Sequence, residues 1–267
     1  MTDLERLDAA LSRYLRPETF PIAVRMLRAG ELAPGRAKRP LRDLKVQITT
    51  CMGYTMSRRY GWALAMSRED ISCPLSKVVY GFEEEVDYFK DGCTCAGMYT
   101  ATAEAGARTE ASIAKFSWKE YETIACAPLG RAEFEPQVVV VYGNSAQVML
   151  LVVAALFKRG GRLASSFAGR IDCSDSVIQT LASGEPQVIL PCYGDRVFGA
   201  TQDYEMGFSF PIGSAEAVID GLEGAHRGGV RYPIPTFLRF APTYPPSYTK
   251  LEEIWASRSG AEAPPKS

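Results

Sequence analysis

A chain of 267 residues is long enough to bury one large hydrophobic core or two modest ones. Its net charge of -1, with 23% charged residues, gives no electrostatic footing for nucleic acid or an anionic membrane surface. Seven cysteines stand against one histidine, so histidine general-base catalysis and mixed sulfur–nitrogen zinc sites have only His226 to draw on. Soft-ligand and redox chemistry has a full set of sulfurs.

The first residues, MTDLERLDAALSRYLR, carry charges where a signal peptide needs an apolar stretch, which predicts no secretion by that route. Without a signal, an odd number of cysteines argues against a disulfide framework and for the reducing cytoplasm. The most apolar stretch, Val138 to Phe157, is broken by Gly143-Asn144-Ser145, and its second part from Val148 is too short to cross a bilayer.

In chain order, leucines 4, 7, 11 and 15 predict an amphipathic helix over Leu4 to Leu15. A short strand follows over Pro21 to Leu27, then an exposed loop from Glu31 to Arg42 marked by Pro34, Gly35 and Pro40. Val46 to Arg59 reads as a helix, Trp62 to Met66 as a strand, and a short helix begins at Pro74. The alanine- and glutamate-rich stretch Ala96 to Phe116 suits a helix that Gly97 and Gly106 weaken, and Thr123 to Leu129 suits a strand. Gln137 to Tyr142 is a continuous apolar run of the kind covered on both faces. Gly143-Asn144-Ser145 ends it and caps a helix from Ala146 to Lys158, apolar almost all round and so expected deep in the core. Ser174 to Ala182 predicts a helix, Gln187 to Cys192 and Met206 to Ile212 strands, and Ala215 to Leu222 a helix. From Tyr232 onward prolines and tyrosines predict an extended, partly disordered tail. The alternation of strands and helices predicts an α/β (mixed α+β) fold, a mixed sheet with helices on its faces. One domain is expected over residues 1–231, with the tail over 232–267.

Position separates the cysteines. Cys73 precedes Pro74, which suits a first helical turn and places Cys73 at or beside the N-cap, where the helix end stabilises thiolate. A Cys-Pro pair also recurs at iron–sulfur ligands. Cys173 stands just ahead of a predicted helix. Cys192 ends a strand and enters Tyr193-Gly194-Asp195-Arg196, where Arg196 can neutralise sulfide or thiolate charge. Cys51, inside a predicted helix, says less alone. Cys93 and Cys95 form a lone Cys-Thr-Cys, and Cys126 sits in the middle of an apolar strand as a buried thiol. No compact Cys-x-x-Cys repeat is present, which removes a zinc ribbon and a bacterial ferredoxin run. The Gly143 turn lacks any dinucleotide or Walker pattern and reads as an ordinary capped turn. Arg58, Arg59, Lys158 and Arg159 are scattered and read for the most part as solvated charges, and His226 reads as a partner of a helix C-terminus. No serine lies in a Gly-x-Ser-x-Gly elbow.

Several segments together resemble the DUF169 family, an uncharacterised prokaryotic group first noted as an archaeal conserved region. They are Cys-Pro-Leu-Ser at 73–76, Ala127-Pro128-Leu129, Phe134 through Val141, the Tyr142-Gly-Asn144 turn, Phe167-Ala-Gly169 with Cys173 after it, and Cys192 through Arg196. The resemblance runs from about Pro21 to Leu222. It implies a pattern of four cysteines at Cys51, Cys73, Cys173 and Cys192, and leaves Cys93, Cys95 and Cys126 outside it. Some relatives carry a second cysteine where this chain has Asp195. A family name of this kind implies no activity.

Four thiolates from separated stretches suit one [4Fe–4S] cluster held between parts of the fold, with Arg196 tuning its charge. The expected role is electron transfer or substrate activation. The alternatives are a structural zinc site on the same sulfurs, or a cofactor-free module binding a small molecule near Gly143. The partner is then a redox protein or a small-molecule ligand, with no nucleic acid or membrane; oligomeric state stays open.

Overall fold

Thr2 starts the first helix, α1 (Asp3–Ala10), with a capping box in which its hydroxyl accepts the Glu5 N–H and the Glu5 carboxylate accepts the Thr2 N–H. A π-helical turn over Leu11–Leu15 continues it and ends at Arg16 in the left-handed region. The computed structural model describes residues 2–234 and 243–259. It divides into two units, Met1–Tyr232 and Pro233–Ser267.

In the first unit the chain continues through β1 (Ile22–Leu27), α2 (Thr50–Tyr60), β2 (Leu64–Ser67), α3 (Pro74–Val79), α4 (Asp87–Lys90), α5 (Ala103–Ser112), β3 (Thr123–Pro128) and β4 (Val138–Gly143). Then come α6 (Ser145–Leu156), a π-helical turn (Ser174–Gln179), α7 (Thr180–Ser183), β5 (Gln187–Ile189), α8 (Tyr193–Phe198), β6 (Met206–Pro211) and α9 (Ala215–Arg227). Among the described residues six strands form one sheet in the order β2-β3-β1-β4-β6-β5. Every pairing between these strands is antiparallel; parallel contacts occur as isolated bridges such as Ile48 with Ile71.

The sheet separates two cores, which accounts for the unbroken apolar run in β4. Val138, Val140 and Tyr142 point with Ile22, Val24 and Met26 into a core shared with Tyr54 of α2, Val79 of α3 and Val177. Val139 and Val141 point the other way, with Leu7, Leu151, Phe208 and Leu222, into a core under α1, α6 and α9. The expected α/β class, helices on the faces of a sheet, is therefore observed. Among the described residues no helix is long and apolar enough to cross a membrane.

Several elements differ from their sequence patterns for local reasons. The helix expected from Val46 starts after Thr49, because Ile48 exchanges backbone hydrogen bonds with Asp70 and Ser72. The helix expected over Ala96 to Phe116 is reduced to α5: Gly97 adopts a left-handed φ of 76°, turns occupy the residues before it, and Thr102 caps a fresh start. Strand β5 stops at Ile189, so Cys192 does not end a strand; it is the N-cap of α8, which the strand pattern hid. Helix α9 runs five residues past Leu222, to Arg227. α6 is less enclosed than its composition predicts, with Met149 and Phe157 exposed. The second unit contains a helix, α10 (Pro246–Ser259), where an extended tail is expected. The same expectation at 235–242 and 260–267 falls outside the described residues.

Helices α6 and α9 approach closely at Gly221, where an added Cβ would lie 2.1 Å from the Ala154 carbonyl oxygen. Gly221→Ala is expected to cost about 1–3 kcal/mol through overpacking. Gly213→Ala, with nothing within 4 Å of the new methyl, should stay within about 0.5 kcal/mol of the parent. Thermal unfolding followed by circular dichroism checks this, and equal midpoints for the two variants would contradict the packing.

Candidate metal centre

Helix α2 brings Cys51 in its first turn. Thr49 caps the helix by accepting the Met52 N–H at 3.1 Å, and its hydroxyl lies 2.9 Å from the Cys51 sulfur. The Cys51 thiol reaches the Gly194 carbonyl of α8 at 3.9 Å. One turn on, Thr55 donates to the Gly199 carbonyl at 2.5 Å. A further turn on, Arg58 meets Thr201 and Glu205. Cys51, Thr55 and Arg58 recur at helical spacing, so one stripe of α2 grips the segment that carries Cys192.

The other stripe of α2 holds the remaining cysteine segments. Thr50 shares a hydrogen bond with Ser76 of α3, whose N-cap is Cys73. Tyr54 bonds the Tyr80 hydroxyl at 2.8 Å, and Tyr80 donates to the Cys173 carbonyl at 2.9 Å. Asp70, three residues before Cys73, accepts from the Leu41 and Ser67 N–H groups at 2.9 Å and from Arg39 at 3.1 Å.

Cys173 lies in the first helical turn after Ile171, a buried β-branched residue held at φ 55°. That backbone costs on the order of 1–2 kcal/mol and persists only where the surroundings enforce it. Cys192 caps α8, and the backbone N–H groups of Asp172 and Asp195 favour its thiolate form.

Electrostatically the four sulfurs form one neighbourhood around Cys173. Burial lifts the Cys173 thiol well above its ordinary value, and Asp172, Cys73, Cys192 and Cys51 add to the shift. Burial also lifts Cys51, against the Thr49 hydroxyl, with Asp195, Asp172 and Cys192 contributing. Cys192 is pushed up to about 12 by burial and by Asp172. The expected thiolate stabilisation at helix starts is thus outweighed by desolvation at these three sulfurs. Without a cation they hold their protons. Among the described residues no group of three or more His, Cys, Asp or Glu side chains could hold a metal ion.

Asp172 and Asp195, two carboxyls the sequence reading missed, stand in the same neighbourhood. Burial and the charge of Asp195 raise Asp172 well above the carboxylate range, and burial also raises Asp195 against Thr201, Arg58 and Tyr142. Two buried carboxyls this close do not both ionise, and Asp172 keeps the proton. Their adjacency to Cys173 and to the Cys192 turn was the available signal.

Arg58, expected as a solvated charge, is instead fully buried. It forks onto Glu205 at 2.5 and 3.1 Å, donates to Thr201 at 3.0 Å, and stacks 4.1 Å from the centre of the Tyr142 ring. Thr201 in turn donates to Asp195 at 2.9 Å. Arg196, the expected tuning charge, donates to the Gln202 carbonyl at 2.7 Å.

Two further cysteines lie in other surroundings. Cys126 is buried in β3 beside Ser57, and Cys95 is buried against Arg170 and Glu110. Asn144 and Gln147 form a reciprocal capping box at the start of α6, and Asn144 also bonds Tyr232, so the Gly143 turn is the ordinary cap expected. His226 lies in the last turn of α9 against Tyr14.

Removing Arg58 takes from Glu205 its buried partner and leaves it only the partly exposed Arg59 as counter-charge. Arg58→Met is expected to destabilise by about 3–5 kcal/mol, whereas Arg59→Met, whose partly exposed side chain bonds the same carboxylate, should cost under about 1 kcal/mol. Urea unfolding measures both, and equal losses would contradict the buried pairing.

Comparison with known proteins places these residues in a family context. The chain is 29% identical over 121 residues to the uncharacterised protein MJ0308 of Methanocaldococcus jannaschii. The aligned region is 45% of this chain and 52% of that relative, so the match spans about half the relative's length. No solved structure matches the chain. The family model described as DUF169, an uncharacterised ArCR, matches residues 10–221 and so spans α2, α3, α8 and all four cysteine segments. This chain belongs to the DUF169 family.

Proposed function

We propose that this protein holds one [4Fe–4S] cluster through the thiolates of Cys51, Cys73, Cys173 and Cys192. The observation that carries the reading is the convergence of four cysteine segments on α2, with Cys173 feeling the other three sulfurs. Binding a cationic iron–sulfur core would release the protons that burial keeps on Cys51, Cys173 and Cys192. Backbone N–H groups directed at the Cys192 sulfur are of the kind that tune cluster potentials. When bound, the cluster supplies one-electron transfer, or a Lewis-acidic iron if one site stays open.

The chain's own residues do the rest. The two stripes of α2 hold the ligand segments in register, the core around Tyr54 and Val177 excludes water, and Arg58 and Arg196 supply positive charge on the α8 side. The reducing cytoplasm is the compartment this chemistry fits.

Purified without oxygen, the parent protein is expected to be brown with a visible charge-transfer band. Cys73→Ala and Cys192→Ala should each lose that band, and Cys126→Ala should keep it within error. A band that survives Cys73→Ala and Cys192→Ala but disappears with Cys126→Ala would overturn the ligand assignment.

A further inference from the structure

Among the described residues two arginine–glutamate pairs are fully buried, and they are built differently. Arg58 uses both terminal nitrogens on Glu205, and Thr19 and Thr201 take further contacts; of its nitrogens only Nε lacks a partner. Arg170 uses one terminal nitrogen. Its Nη1 meets Glu110 Oε1 at 3.0 Å and also contacts the Cys95 sulfur. Glu110 Oε1 is crowded further by the Thr94 hydroxyl and by the Cys95 thiol at 3.4 Å. Meanwhile Arg170 Nε, Arg170 Nη2 and Glu110 Oε2 are buried with no hydrogen-bond partner.

A buried polar atom left unpaired keeps the cost of its lost hydration. Three of the five such side-chain atoms among the described residues belong to this one pair. A purely structural ion pair in the same molecule, Arg58 with Glu205, shows the closed alternative. In Arg170 the edge left open is the Nε–Nη2 side, whose two parallel donors match the two oxygens of a carboxylate. Glu110 on the opposite nitrogen and the Tyr99 ring, 4.9 Å from the guanidinium carbon, fix the plane of that edge.

The position is next to the cysteine neighbourhood. Arg170 precedes Cys173 by three residues, and Tyr99 interacts with Cys192 as well as with Arg170. The segment between α4 and α5 covers the guanidinium with the Tyr99 ring, beside the exposed Met98.

We infer that the Nε–Nη2 edge of Arg170, held by Glu110 and Tyr99, binds the carboxylate of a small organic acid beside the four cysteines. Binding needs no iron. The inference therefore goes beyond the cluster reading, and iron and sulfide contents measured on the same samples separate failure of one from failure of the other.

The test is titration of the full-length protein with sodium acetate, against sodium chloride at matched ionic strength, read by thermal shift and calorimetry. Acetate is expected to raise the melting midpoint in a saturable way that chloride does not reproduce. Arg170→Lys, which keeps the charge and loses the fork, should weaken acetate binding at least about tenfold. If that variant does not fold, Arg170→Met combined with Glu110→Met removes the pair together and should abolish the acetate response. An acetate response equal to that of chloride, as expected if water alone completes the arginine, overturns the inference. So does undiminished acetate binding in whichever variant folds.

Discussion

Helix α2 is the element on which the rest of the candidate centre depends. Its eleven residues carry one ligand candidate, bond the segments of Cys73 and Cys192, and reach that of Cys173 through Tyr80. Two adjacent stripes divide the work. Thr50 and Tyr54 hold α3 and the Cys173 turn, while Cys51, Thr55 and Arg58 hold α8 and the loop after it. These contacts join residues more than twenty positions apart, up to 147 for Arg58 with Glu205. Such a centre forms only when the whole first unit has folded, because loop-closure entropy must be met before the distant contacts reward it.

Desolvation gives the centre its electrical character. Helix starts favour thiolates by about 0.3–1 kcal/mol where exposed, and this is smaller than the burial effect that lifts Cys51, Cys173 and Cys192. Cys51, Cys173 and Cys192 are therefore protonated thiols beside a carboxyl that keeps its proton. On the cluster reading, a cation entering there would displace those protons. Arg58 works from the far side, neutralising Glu205 and reaching Asp195 through Thr201. That relay prevents the acidic groups of the α8 segment from accumulating unbalanced charge in the core.

Much of this was legible in the residues. The β4–turn–α6 unit and the start of α3 at Pro74 follow from local patterns. What stayed hidden depends on distant partners. Arg58 reads as a surface charge because nothing near it in sequence identifies Glu205 as its mate, and Asp172 and Asp195 read as ordinary polar residues for the same reason. Cys192 looks like a strand end because Val188-Ile-Leu190 is apolar, yet β5 stops at Ile189 and α8 takes over. The antiparallel order of the sheet is equally invisible, since a strand covered on both faces reads the same in either direction.

The central claim is that four cysteines on one helical hub bind a single cluster. Iron and acid-labile sulfide determined on protein purified without oxygen test it most directly. The account predicts about four of each per chain, and protein with neither iron nor labile sulfide, or with stoichiometric zinc in their place, would contradict it.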